Sequence, residues 1–149
     1  MTELELSGYK FILARIKEIK ERIGELAGDI LELEQETGLG SVNLDGMPHG
    51  STPGDPVARM AIARAALHAD MKRLKADLEE RRAELTKKER EIREYIDSVE
   101  NEEVKLIIEW RFIDLLDWYE IAGRLEDVTG KYVDRSTPGK KMRKYLEEH

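Results

Sequence analysis

Cysteine is missing altogether from the 149 residues. A disulfide framework and a thiolate zinc site are therefore excluded. The absence also suits a reducing compartment, and a cytoplasmic location is the expectation. Aromatic residues are scarce, at 6%, while charged residues make up 38%. That balance excludes one thick globular core and suits long helices with narrow apolar stripes and solvated flanks. No apolar run approaches the roughly 20 residues that span a bilayer, so no membrane partner is expected. Met1-Thr2-Glu3-Leu4-Glu5 has no basic stretch followed by an apolar one, and is not expected to be a signal peptide. Histidines are few and scattered at 49, 68 and 149, so neither a metal nor another cofactor is expected. No nucleophile stands near a base, and no phosphate-binding glycine loop occurs, so the chain does not read as an enzyme.

Three of the four prolines and five of the eleven glycines fall in residues 38–56. This stretch is read as a loop at 38–55 between two long helices. Asp55 and Pro56 then supply an N-cap and a first helical residue. Before the loop, helix 4–37 carries Tyr9, Ile12, Ile16, Ile19, Ile23, Leu26, Ile30 and Leu33 at alternating spacings of three and four. That is the seam of a helix packed along another helix. Ile12, Ile16, Ile19, Ile23, Leu26 and Ile30 are accordingly the candidate partner-binding residues. Gly24 and Gly28 lie in the same helix, either as tolerated surface glycines or as places where another backbone comes close.

The second helix, about 56–100, has its own seam: Val57, Met60, Leu67, Met71, Leu74, Leu78, Leu85, Ile92, Tyr95 and Val99. The same register puts Arg64, Arg81 and Lys88 on seam positions, where a basic residue weakens the stripe and fixes register. At ~1.5 Å per residue the helices are roughly 45 and 65 Å long. Folded back on each other they leave an overhang of the second. Alternatively, the seams meet in a dimer, and a homo-oligomer is the expected state. The pattern leaves both open.

The last third reads differently. Val104, Leu106, Ile107, Ile108, Trp110, Phe112, Ile113, Leu115 and Leu116 are too dense for a seam and form a small core. A helix over 102–116 is followed by one over 118–125, with Asp117 as N-cap and Glu120 as the reciprocal acid of a capping box. Residues 126–135 read as a polar turn. A final helix over 138–147 is capped by Ser136 or Thr137. The expected fold is thus all-α: a helical hairpin over 1–101 and a helix-turn-helix module over 102–149.

The net charge of −7 argues against a nucleic-acid partner, but its distribution matters more. Residues 136–149 hold four basic and two acidic side chains, the most basic segment per residue. Met142, Tyr145 and Leu146 share one helical face, expected to pack on Trp110 and Ile121. Lys140 and Lys144 point the other way, with Lys141 and Arg143 beside them. A groove-reading helix needs this placement. Lysines near a helix C-terminus also favour the helix dipole, which is the blander explanation. Ser136, Thr137, Lys140, Lys141, Arg143 and Lys144 are the candidate DNA-binding residues.

Leu106-Ile107-Ile108-Glu109-Trp110-Arg111-Phe112-Ile113-Asp114, followed by Asp117-Trp118-Tyr119-Glu120-Ile121-Ala122-Gly123-Arg124-Leu125, resembles the helix-turn-helix pattern of sigma-70 region 4-like domains. Together with Gly46-Met47-Pro48-His49-Gly50 in the loop, the whole chain resembles phage-encoded regulators of the RinA/ArpU kind. The resemblance implies a prophage transcription regulator, with late genes as its target. Its partners would be double-stranded DNA, RNA polymerase and further copies of the chain. The chain departs from that pattern by inserting Glu126 to Arg135, and by having Pro138 and Gly139 where valine and a bulky residue are usual. Two other classes compete: a small terminase-like DNA-packaging protein, and a helical adaptor or inhibitor acting through its coiled-coil surface.

Overall fold

The computed structural model describes residues 1–40 and 56–149. Of the expected Gly/Pro loop at 38–55, residues 38–40 instead continue the first long helix, which ends at Gly40 and not at 37; the remainder, including the Gly46–Gly50 element, and the expected cap at Asp55 lie outside the described residues. Every regular element described is helical: α1 (Glu3–Leu6), α2 (Gly8–Gly40), α3 (Pro56–Ser98), α4 (Glu102–Ile108), α5 (Trp118–Thr129) and α6 (Thr137–Glu148). No described helix is long and apolar enough to cross a membrane. The fold is all-α, as the patterning implies.

The chain divides into two compact units, one of residues 1–15 with 82–149 and one of residues 16–81. In the second unit α2 and α3 run antiparallel as a hairpin. Leu26 of α2 lines a cleft with Leu74 of α3, and Leu33 lines one with Leu67, so rising numbers on one helix meet falling numbers on the other. Ile16, Ile19, Ile30 and Leu78 are buried, while Ile23, Leu26, Leu67, Met71 and Leu74 are half-buried. Two helices alone can cover only one side of each seam residue, so the stripe remains partly wet. Val57, placed on the seam by its spacing, is exposed. Arg64 and Arg81 do lie half-buried on the seam, and Arg81 pairs with Asp77 at 3.6 Å.

The first unit holds the main core. Leu6, Ile92, Ile96, Val99, Val104, Ile107, Ile108, Phe112, Ile113, Ile121, Leu125 and Met142 form one buried cluster. This core crosses residue 101, where the sequence pattern sets its domain boundary. The physical reason is that the end of α3 serves two neighbours at once. A seam of Ile92, Tyr95 and Val99 suffices against one helix, whereas a wider apolar arc that includes Ile96 is needed against several. Leu6, ahead of the seam, is drawn in by α1. That short helix is held by a reciprocal cap: Thr2 N–H donates to Glu5 Oε2 at 2.7 Å, and Glu5 N–H donates to Thr2 Oγ1 at 3.1 Å. These bonds hold the Glu5 carboxyl below its ordinary pKa. Lys88 lays its stem over Gly8, where a Cβ would stand only 2.7 Å from Lys88 Cε.

Candidate nucleic-acid interface

The C-terminal module is built on three helices, the first two with side-chain N-caps. Asn101 Oδ1 accepts from the N–H groups of Glu103 and Val104 at 3.0 and 3.2 Å and starts α4. The helix expected to run unbroken to 116 is α-helical only to Ile108. It then widens into a π-helical turn over Glu109–Ile113, in which Asp114 N–H reaches Glu109 C=O at 3.1 Å. The chain then turns sharply through Leu115, at φ 57. Arg111 Nη1 donates to Leu116 C=O at 3.0 Å and steadies the corner.

Asp117 Oδ1 accepts from Glu120 N–H at 2.8 Å, as its N-cap position implies. The reciprocal bond expected from the Glu120 carboxylate is absent among the described residues. The helix that follows does not stop at 125. It continues to Thr129, so the polar stretch 126–135 is part helix and part turn. Gly130, at φ 70, ends it in the left-handed conformation that glycine tolerates best, and its N–H donates to Glu126 C=O at 2.7 Å. Glu126 Oε1 also accepts from Val133 N–H at 3.0 Å and pins the turn. What reads as an insertion is therefore an extra helical turn plus an ordered connection of residues 130–136.

Asp134 organises the start of α6. Its carboxylate accepts from both the hydroxyl and the N–H of Ser136, and its C=O accepts from Thr137 N–H at 3.0 Å. The Ser136 hydroxyl bond, with the backbone bond second, holds the Asp134 carboxyl below its ordinary pKa. Ser136 occupies the N-cap position but makes no side-chain cap, contrary to expectation, because its hydroxyl is turned to Asp134. Thr137 is half-buried. Pro138, Gly139 and Met142 are buried, and Tyr145 and Leu146 pack against the core, which also contains Ile121 and is flanked by Trp110.

The four cations of α6 are all exposed but fall into two kinds. Lys141 Nζ lies 2.8 Å from Glu103 Oε1 of α4. Arg143 Nε lies 3.4 Å from Glu3 Oε2 of α1, with its guanidinium 6.0 Å from the Trp118 ring. Lys140 and Lys144, one turn apart and on the side of the helix opposite Met142, have no carboxylate partner among the described residues. The turn adds Lys131, Tyr132 and Arg135, all exposed, which sequence patterning left inside a generic polar segment. Acidic groups border this surface: Glu120, Glu126 and Asp134 share a groove with Tyr119, Tyr132 and Arg135.

The six partner candidates on α2 lie along its covered face, with Ile16, Ile19 and Ile30 buried and Ile12, Ile23 and Leu26 half-buried within the chain itself. Among the described residues no three His, Asp or Glu side chains converge so as to hold a metal ion.

The architecture is that of an all-α protein with a helical hairpin and a small module of three helices, the last two linked by a short ordered turn. The chain belongs to the family described as protein of unknown function (DUF1492), whose profile matches residues 64–141, just over half of the sequence. The match takes in most of α3, all of α4 and α5, the connecting turn and the beginning of α6. Neither curated proteins nor solved structures give a match to the chain.

Proposed function

We propose that the chain binds double-stranded DNA, with α4–α6 acting as a helix-turn-helix module whose α6 enters the major groove. On this reading it is a phage transcription regulator of the RinA/ArpU kind. The observation that carries the proposal is the pair Lys140 and Lys144, which are exposed, one turn apart, opposite the buried Met142 and without a carboxylate partner among the described residues. Lysines placed this way present two adjacent cations to phosphates along a groove, and neutralising a phosphate releases condensed counter-ions. Lys131 and Arg135 on the preceding turn are exposed and are further cations that could meet the backbone.

The test is fluorescence anisotropy on duplex fragments of phage genomic DNA over a salt series. Lys140→Ala with Lys144→Ala lowers affinity and reduces the log–log salt slope by about 0.9 per lost phosphate contact. Circular dichroism of the double variant stays that of the parent, because neither side chain belongs to the core. Equal binding by parent and variant at every salt concentration sinks the proposal. In that event the adaptor reading leads. It already draws support from the neutralisation of Lys141 and Arg143 by Glu103 and Glu3.

A further inference from the structure

The hairpin of residues 16–81 has two flanks of opposite charge. On α2, one side of the seam carries Lys17, Lys20, Gly24, Ala27 and Leu31, again at spacings of three and four. The other side carries Glu18, Arg22, Glu25, Asp29 and Glu32. On α3 the corresponding sets are Ala61, Ala65, His68, Lys72 and Lys75, and Ala63, Ala66, Asp70, Arg73 and Asp77. One cleft settles which set adjoins which, because Arg22, Glu25 and Asp29 line it together with Asp70 and Arg73. The acidic rows of both helices therefore share one broad side of the hairpin, and the lysine rows share the other.

Among the described residues the separation is only partly neutralised. Lys17, Lys20, Lys72 and Lys75 are exposed and have no ion pair among the described residues, and the only carboxylates that the same spacing adds to their rows among the described residues are Glu34 and Glu79, at the row ends. On the opposite side Asp70 pairs with Arg73 and Asp77 with Arg81, whereas Glu25, Asp29 and Glu32 are exposed and without an ion pair among the described residues. The lysine side is also easy to approach: a Cβ on Gly24 would meet nothing within 4 Å, and Leu31 is exposed. Between the two sides, the half-buried Leu26, Leu67, Met71 and Leu74 leave apolar surface that a two-helix layer cannot cover.

We propose that the occupant of each side is a second copy of this chain. The lysine side of one hairpin docks on the acidic side of the next. Such a contact is heterologous, so it repeats and produces a ring when its rotation closes and a filament when it does not. Opposite potentials set the order of stacking and disfavour like-on-like contacts. The proposal is independent of whether α6 binds DNA.

Sedimentation velocity of the full chain tests it. At low salt the parent sediments as a multiple of the monomer, and high salt dissociates it because the contacts are screened. Lys72→Glu with Lys75→Glu makes both sides acidic, and that variant alone sediments as a monomer. Glu25→Lys with Asp29→Lys makes both sides basic and does the same. Mixed in equal amounts the two variants assemble again, which misfolding of either could not produce. A parent that is monomeric at low salt overturns the proposal, as does a double variant that assembles like the parent. Loss of DNA affinity in the Lys72/Lys75 variant with assembly intact would likewise overturn it and make the lysine side a nucleic-acid surface.

Discussion

Gly139 lies against the indole of Trp118: a Cβ built on it would stand 3.5 Å from both Cε2 and Cζ2. That is ordinary van der Waals contact, so alanine fits where a longer side chain does not. Arg111 approaches the same ring at 4.6 Å from its centroid, so the indole is held by cations as well as by α6. Gly139→Ala is expected to stabilise the protein by up to about 1 kcal/mol, the helix-propensity difference between the two residues. Gly139→Leu is expected to cost about 1–3 kcal/mol by overpacking against the ring. Urea unfolding of both variants checks the pair of signs.

Tyr95 offers a second test of the core. Its hydroxyl is buried and has no hydrogen-bond partner among the described residues. Burial, and secondarily the neighbouring Tyr145, push the phenol above its ordinary value of about 10. Below that pH the phenol is neutral in both states and full stability is present. Above it the unfolded chain ionises first, so stability falls as pH rises toward the folded value. Tyr95→Phe removes an orphaned polar group and is expected to add about 1 kcal/mol at neutral pH. It should also lessen the loss of stability on the alkaline side. Thermal melts at neutral pH and above pH 10 read both effects.

Leu115 carries the one positive φ among the described non-glycine residues, and its side chain is 39% exposed. A left-handed leucine costs about 1–2 kcal/mol. Leu115→Gly relieves that strain, loses little buried surface and adds about 0.5–1 kcal/mol of chain entropy cost. A net gain of up to about 1 kcal/mol is expected, seen as a higher melting temperature. A clear drop in melting temperature would mean that the leucine side chain holds the corner through its contacts.

How much of this was legible in the sequence depends on how local the cause was. The seams of α2 and α3 are periodic and could be read directly, as could the caps at Asp117 and the face of α6 bearing Met142, Tyr145 and Leu146. Ile96 and Leu6 were not, because a heptad describes one neighbour, and these residues answer to helices far away in the chain. The π-helical turn before Leu115 left no compositional trace, since Glu109–Ile113 has ordinary helix residues. The segment after Leu125 looked like loop because it is polar, yet Glu126 and Thr129 are polar for a reason: each bonds the backbone of the turn or helix end. The four cations of α6 were visible as a set. Their division into paired and unpaired was not, because Glu3 lies 140 residues from Arg143 and Glu103 lies 38 from Lys141.

That division leads to the last prediction. Lys141 is held 2.8 Å from Glu103 Oε1 across two exposed side chains. An exposed pair of this kind is worth about 0–1 kcal/mol, so breaking it hardly affects folding. It does release a cation beside Lys140. If α6 meets DNA, Glu103→Gln should strengthen binding and steepen the log–log salt slope by about 0.9, the increment for one added phosphate contact. Lys141→Gln alone should change the slope little, since in the parent that charge already has a partner. The combination Glu103→Gln with Lys141→Gln should bind like Lys141→Gln alone, which isolates the released lysine from the mere loss of an acidic charge. Anisotropy titrations at several salt concentrations supply the slopes, with melting temperatures as the control for folding. An unchanged slope in Glu103→Gln would mean that Lys141 stays out of reach of the phosphates, restricting the contact surface to Lys140, Lys144 and the turn.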